Sequence, residues 1–105
     1  MELNIIVDDY SMNLEIPDSF LSASDEAFDR LDRSMDKGVQ IGRQWFDNPT
    51  PRQRSQVAAD KLLAALETDN HPLALLSAGY IVRRMPGVRR VRIANSGELQ
   101  DTVFE

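Results

Sequence analysis

Two hydrophobic periodicities, and the order in which they occur, constrain this chain more than any single motif. Leu3, Ile5 and Val7 alternate with Asn4, Ile6 and Asp8, and Met12, Leu14 and Ile16 alternate with Ser11, Asn13 and Glu15, until Pro17 ends the pattern. A repeat of two puts alternate side chains on one face of a half-buried strand. Asp8-Asp9-Tyr10 supplies a turn between the runs and makes them a hairpin; one bent or bulged strand is the competing reading. The repeat of two returns near the other end, where Val91 and Ile93 alternate with Arg90 and Arg92. Asn95-Ser96-Gly97 then reads as a hairpin turn, and Leu99 to Phe104 as the last strand.

Between these ends the spacing is helical. Ser22 or Ser24 can cap a helix by accepting a backbone N–H, with Asp25 and Glu26 in its first turn. Phe28, Leu31, Met35, Val39, Gly42, Trp45 and Phe46 follow on one stripe, so a long helix is expected up to the Asp47-Asn48-Pro49 break. Gly38 and Gly42 weaken it and let a neighbour approach closely. Thr50-Pro51-Arg52-Gln53 has the form of a capping box with proline at the first helical position, opening a second helix to about Glu67. Its inward positions are Val57, Ala58, Leu62, Ala65 and Leu66. A third helix begins at Asn70 or His71 and is apolar nearly all round from Leu73 to Val82, the mark of a buried central helix. Pro86-Gly87 turns the chain into the final hairpin.

The order ββαααββ implies an α+β domain: a small antiparallel sheet, made of the N-terminal and C-terminal hairpins, packed against three helices. One domain over residues 1–105 is expected, because 105 residues leave no room for two cores. With 42% hydrophobic and 28% charged residues, the composition is that of a globular chain.

There is no cysteine, which rules out disulfides, thiolate metal sites and cysteine nucleophiles and favours a reducing compartment. The first residues, Met1-Glu2-Leu3-Asn4, lack the basic and apolar regions of a signal peptide, and Leu73–Val82 is too short to span a bilayer. A cytoplasmic protein with no membrane partner is expected.

The net charge of −5 is unevenly distributed. Met1 to Asp36 holds ten carboxylates and two arginines, whereas Arg83 to Arg92 holds five arginines and no acid. Arg83, Arg84, Arg89, Arg90 and Arg92 are candidate partner-binding residues, since guanidinium groups grip carboxylates and phosphates bidentately. The plainer reading is favoured for them. Arg83 and Arg84 complement a helix C-terminus, while Arg90 and Arg92 face solvent and pair with Glu2, Glu15 or Glu98. Nucleic acid is the least favoured partner, given the negative charge and the 7% aromatic content available for stacking on bases. Trp45 and Phe46 are candidate interface anchors beside Arg43, although a lone tryptophan on a helix stripe more often belongs to the core.

Little points to chemistry. Asp25, Asp29, Asp32 and Asp36 form one acidic stripe, read as a solvated helix face rather than a metal site, because no calcium-loop spacing is present. His71, the sole histidine, opens a helix beside Pro72. A nucleophile elbow and the glycine patterns of nucleotide-binding loops are missing. No catalytic residue, metal or cofactor is therefore expected. The function expected is that of a small non-catalytic accessory or interaction protein that self-associates through its helical stripe, since Phe28 to Phe46 offers more apolar surface than the other two helices cover, and through its segregated charge, the acidic helix meeting the arginine strand across a two-fold axis. The alternatives are a regulator or assembly factor docking a larger enzyme or complex through the arginine edge or last strand and, behind it, a nucleic-acid-binding module using Arg83–Arg92.

Overall fold

The computed structural model describes residues 1–94 and 101–105. Strands β1 (Glu2–Val7) and β2 (Tyr10–Glu15) form the expected hairpin, closed by the Val7–Tyr10 pair over the Asp8-Asp9 turn. Asp8 adopts φ +52°, a conformation that aspartate tolerates better than most residues. Helices α1 (Asp18–Ala23) and α2 (Asp25–Met35) follow, then strands β3 (Val39–Ile41) and β4 (Gln44–Phe46). Helices α3 (Pro51–Glu67) and α4 (His71–Arg84) lead to β5 (Arg90–Ile93) and β6 (Val103–Phe104). The chain is an α+β domain with four helices and two small sheets among the described residues. The turn read at Asn95-Ser96-Gly97, the start of the last strand at Leu99 and the Glu98 pairing lie outside them.

Two expectations are corrected. The larger sheet has the order β2-β1-β5-β6, and β1 pairs with β5 in parallel rather than antiparallel. Tight turns return a strand antiparallel, whereas a crossover through a helical layer brings the next strand in along the same direction. The long helix also ends early, at Met35. Gly38 has φ +117° and Gly42 φ +63°, left-handed values that no continuing helix allows. Val39-Gln40-Ile41 instead alternates buried, exposed, buried as a strand, and Gly42-Arg43 turns it back onto β4. Near the start, Ser24 separates α1 from α2, and its hydroxyl donates to the Phe20 carbonyl (2.6 Å) instead of capping α2.

The capping box at α3 forms as the sequence implies. Gln53 N donates to Thr50 Oγ1 (3.2 Å) and Thr50 N to Gln53 Oε1 (2.9 Å). Asn70 caps α4 by accepting from Leu73 N (3.2 Å). The core lies between the helices and one sheet face, where Leu3, Ile5, Leu14, Val91 and Ile93 meet Phe28, Leu62 and Ile81. Helix α4 carries an unbroken buried run from Ser77 to Val82. Small residues on α3 and α4, among them Ala58, Ala74 and Ala78, let these helices pack closely. Buried Ser55 and Ser77 have hydroxyls without a hydrogen-bond partner among the described residues.

Candidate functional site

The five arginines fall into two groups. Arg83 and Arg84 end α4, where the acidic stripe of α2 meets them inside the same chain. Arg83 Nη2 donates to Asp25 Oδ1 (2.8 Å), and Arg84 bonds Asp29 Oδ1 through Nη2 and Asp32 Oδ2 through Nε, both at 2.9 Å. Arg54 of α3 reaches the same stripe, at 3.2 Å from Asp32 and 2.9 Å from Asp36. It also donates from Nε to the Pro49 carbonyl (3.2 Å), which ties down the loop before α3. The opposite charge zones thus neutralise one another intramolecularly at this corner.

Asp32 is the centre of that network. Its Oδ1 accepts from the Tyr80 hydroxyl as well as from Arg54, and Arg84 lies over the Tyr80 ring at 5.7 Å. Burial raises the Asp32 pKa, but hydrogen bonds from Tyr80 and Arg84, the charge of Arg84 and the Arg54 bond together outweigh it and hold the carboxyl below its ordinary range. Burial first, then the bond to Asp32 and its charge, push the Tyr80 phenol up. In sequence Tyr80 is one member of the apolar Leu73–Val82 run; its polar tip on an otherwise apolar helix is the signal of a buried polar partner.

These groups line a hollow of about 350 Å³ together with Asp36 and Pro51. Both shifts move protons away from exchange near neutral pH, opposite to what acid–base catalysis requires. The arginines there already hold carboxylates. The network is built to join α2 to α3 and α4.

Arg90 and Arg92 occupy the sheet face opposite the core, with Arg89 just before them. Arg90 Nε donates to Asn4 Oδ1 (3.0 Å) and Arg92 Nε to Glu105 Oε1 (2.5 Å). Arg89 and Arg90 border a shallow hollow that also contains the carboxylates of Glu2 and Glu105. The face carries Asn4, Asn13, Ile6 and Val103 alongside these arginines, and no described aromatic residue, because Phe104 pairs with buried Val91 and so points inward. It has no ring on which a base could stack.

Trp45 and Phe46 are adjacent on β4 and therefore face opposite ways. Phe46 packs against the core, whereas Trp45 is 56% exposed. The indole is nonetheless fixed. Its Nε1 donates to Asp47 Oδ1 (2.7 Å), and the ring lies so close over Gly38 that a Cβ there would stand 2.5 Å from Cζ2. The left-handed glycine thus serves both the chain path and the seat of the ring.

No group of three or more His, Asp or Glu side chains among the described residues converges as a metal site would. No helix among them is long and apolar enough to cross a membrane. Comparison with known protein families, curated proteins and solved structures finds no match for this chain.

Proposed function

We propose that this chain is a non-catalytic accessory protein that docks a partner protein through the β3–β4 hairpin, with Trp45 as anchor. The carrying observation is an indole held at its edge by Asp47 and seated on Gly38 while over half of its surface faces solvent. Ordering a large side chain on binding costs about 0.5–1.5 kcal/mol, and a side chain already ordered avoids most of that. An indole exposed to this extent offers on the order of 100 Å² of apolar surface, worth about 2–3 kcal/mol when a partner covers it. Tryptophan is also the residue type most often found at the energetic centre of interfaces.

Self-association through a helical stripe has less support. The stripe stops at Met35, and Arg83 and Arg84 pair with α2 of their own chain. A second copy remains one partner that the Trp45 surface could take.

The test compares tagged wild-type protein with Trp45→Ala in cross-linking from the native cell, with sedimentation of the isolated chain over a hundredfold concentration range. A partner held by wild type and weakened about tenfold or more by Trp45→Ala supports docking. Equal recovery by both, with the variant folded by circular dichroism, refutes it. A dimer that Trp45→Ala dissolves identifies the partner as a second copy.

A further inference from the structure

At the far end of α3 from the Trp45 hairpin lies a hollow of about 680 Å³. Helix α3 has 17 residues, so its ends are about 25 Å apart. Half-buried Met12, Leu63 and Leu66 line it between β2 and α3, together with exposed Asp9, Glu67 and Asp69. A second hollow of about 240 Å³ continues from it toward His71, sharing Met12, Leu66 and Asp69. Together they form one trough beside β2, with neither lysine nor arginine among the described residues that line it.

The carboxylates here differ from those of α2 and its C-cap. Asp25, Asp29, Asp32 and Asp36 each hold an arginine, whereas Asp9, Glu67 and Asp69 take part in no ion pair among the described residues. Glu67 and Asp69 also sit at the C-terminal end of α3, whose last turn has no basic residue. A helix C-terminus carries partial negative charge, so acids there raise the local demand for a cation.

Strand β2 bounds the trough and is the edge of its sheet. In an antiparallel pair, residues alternate between bonding their neighbour strand and facing away from it. The bond from Ile16 N to the Met1 carbonyl (2.7 Å) fixes the phase. Tyr10, Met12 and Leu14 bond toward β1, and the backbone groups of Ser11, Asn13 and Glu15 point outward, open to another strand.

We infer that β2 and its trough accept an extended segment of a partner protein carrying lysine or arginine at alternate positions, added as a further strand. An added strand turns every second side chain toward the trough. Long basic side chains suit it because their methylene stems lie on apolar surface while the charged head reaches the rim. Half-buried Met12 and Leu66 beside exposed Glu67 and Asp69 provide both kinds of surface. This surface is separate from the Trp45 hairpin and does not depend on it.

The test is fluorescence anisotropy of the full chain with a fluorescein-labelled decapeptide that alternates lysine and threonine. The controls are the same peptide with glutamate for lysine and one with its lysines in a single block. The alternating lysine peptide is expected to bind at least about tenfold more tightly than either control, and to weaken with salt. Asp9→Asn, Glu67→Gln and Asp69→Asn combined are expected to weaken it about tenfold, and Asn13→Pro, which removes an outward N–H, to weaken it as well. Trp45→Ala is expected to leave it unchanged, so failure here and failure of hairpin docking are distinguishable. Equal binding of all three peptides, or an unchanged affinity in the triple carboxylate variant, overturns the inference; that variant alone decides if Asn13→Pro does not fold. A concentration-dependent dimer abolished by the triple variant also overturns it, because the occupant is then a second copy.

Discussion

Replacing Asp32 by asparagine tests the network that joins α2 to the other long helices. The substitution keeps size and shape but removes the charge. Tyr80 and Arg54 still find an oxygen if the amide keeps it in the Oδ1 position, and the amide nitrogen at Oδ2 then sets a donor against Arg84 Nε. A hydrogen bond to a charged group contributes about 1.5–3 kcal/mol. Two features reduce the total: Asp32 is 27% exposed, so solvent screens its charge, and Arg54 and Arg84 retain Asp36 and Asp29. A loss of about 2 kcal/mol at pH 7 is expected, near 10 °C in Tm for a domain of this size. The pH dependence is more diagnostic. The native carboxyl titrates below its unfolded value, so its stabilisation is complete above the ordinary aspartate range of about pH 4. It is lost as pH falls through the native pKa, because the unfolded chain then binds the proton more readily. Asparagine has no such loss, so the gap between wild type and variant narrows on acidification. Urea titrations followed by far-UV circular dichroism between pH 7 and pH 3 measure both effects. A loss below about 0.5 kcal/mol, or one that does not change with pH, refutes the account of Asp32 as an ionised hub.

Gly38→Ala introduces a Cβ into the Trp45 ring at a left-handed position and is expected to cost about 2–4 kcal/mol, combining backbone strain with displacement of the indole. In a Trp45→Ala background only the strain remains; equal costs in both backgrounds by chemical denaturation show that the ring is not seated on Gly38. In a Tyr10→Phe chain, where Tyr80 is the sole tyrosine, the raised pKa makes its contribution complete below the ordinary phenol range of about pH 10 and lost at higher pH. Phenolate absorbance is then expected to rise together with unfolding, and its appearance near pH 10 in the folded protein contradicts the buried Tyr80–Asp32 bond.

The elements that were legible are those whose signal is local. The alternation of Leu3 to Ile16 encodes a hairpin, the Thr50–Gln53 box encodes a helix start, and the apolar Leu73–Val82 run encodes burial, because each pattern is a direct consequence of backbone geometry. The segment from Val39 to Phe46 satisfied two periods at once. Positions 39, 42, 45 and 46 fit a helix stripe, while 39, 41 and 46 fit the inner face of two short strands. Gly38 and Gly42 decide between them, since two left-handed residues end a helix and seat a turn; glycines flanking a short alternating run are the sequence signal for the strands. The parallel β1–β5 pairing leaves no local trace, because it is set by which way the helical layer returns the chain.

The charges follow the same division between local and distant information. In sequence, the four aspartates of α2 and its C-cap and the arginines after Val82 stand out because each set is clustered along the chain. Folding brings part of each cluster to the other, with Arg83 reaching Asp25 across 58 positions, so residues conspicuous in one dimension become partners in three. Asp9, Glu67 and Asp69 show the reverse. Each is unremarkable where it occurs, one in a turn and two at a helix end, and only the packing of β2 beside α3 gathers them over apolar side chains. Within one acidic chain, ionic demand is therefore met at one corner and left open at another. A cation-bearing partner gains most where the carboxylates are unpaired and the surface beneath them is apolar, since attraction and burial then act on the same side chain. For that reason the net charge of −5 says less about partners than the location of its unpaired members.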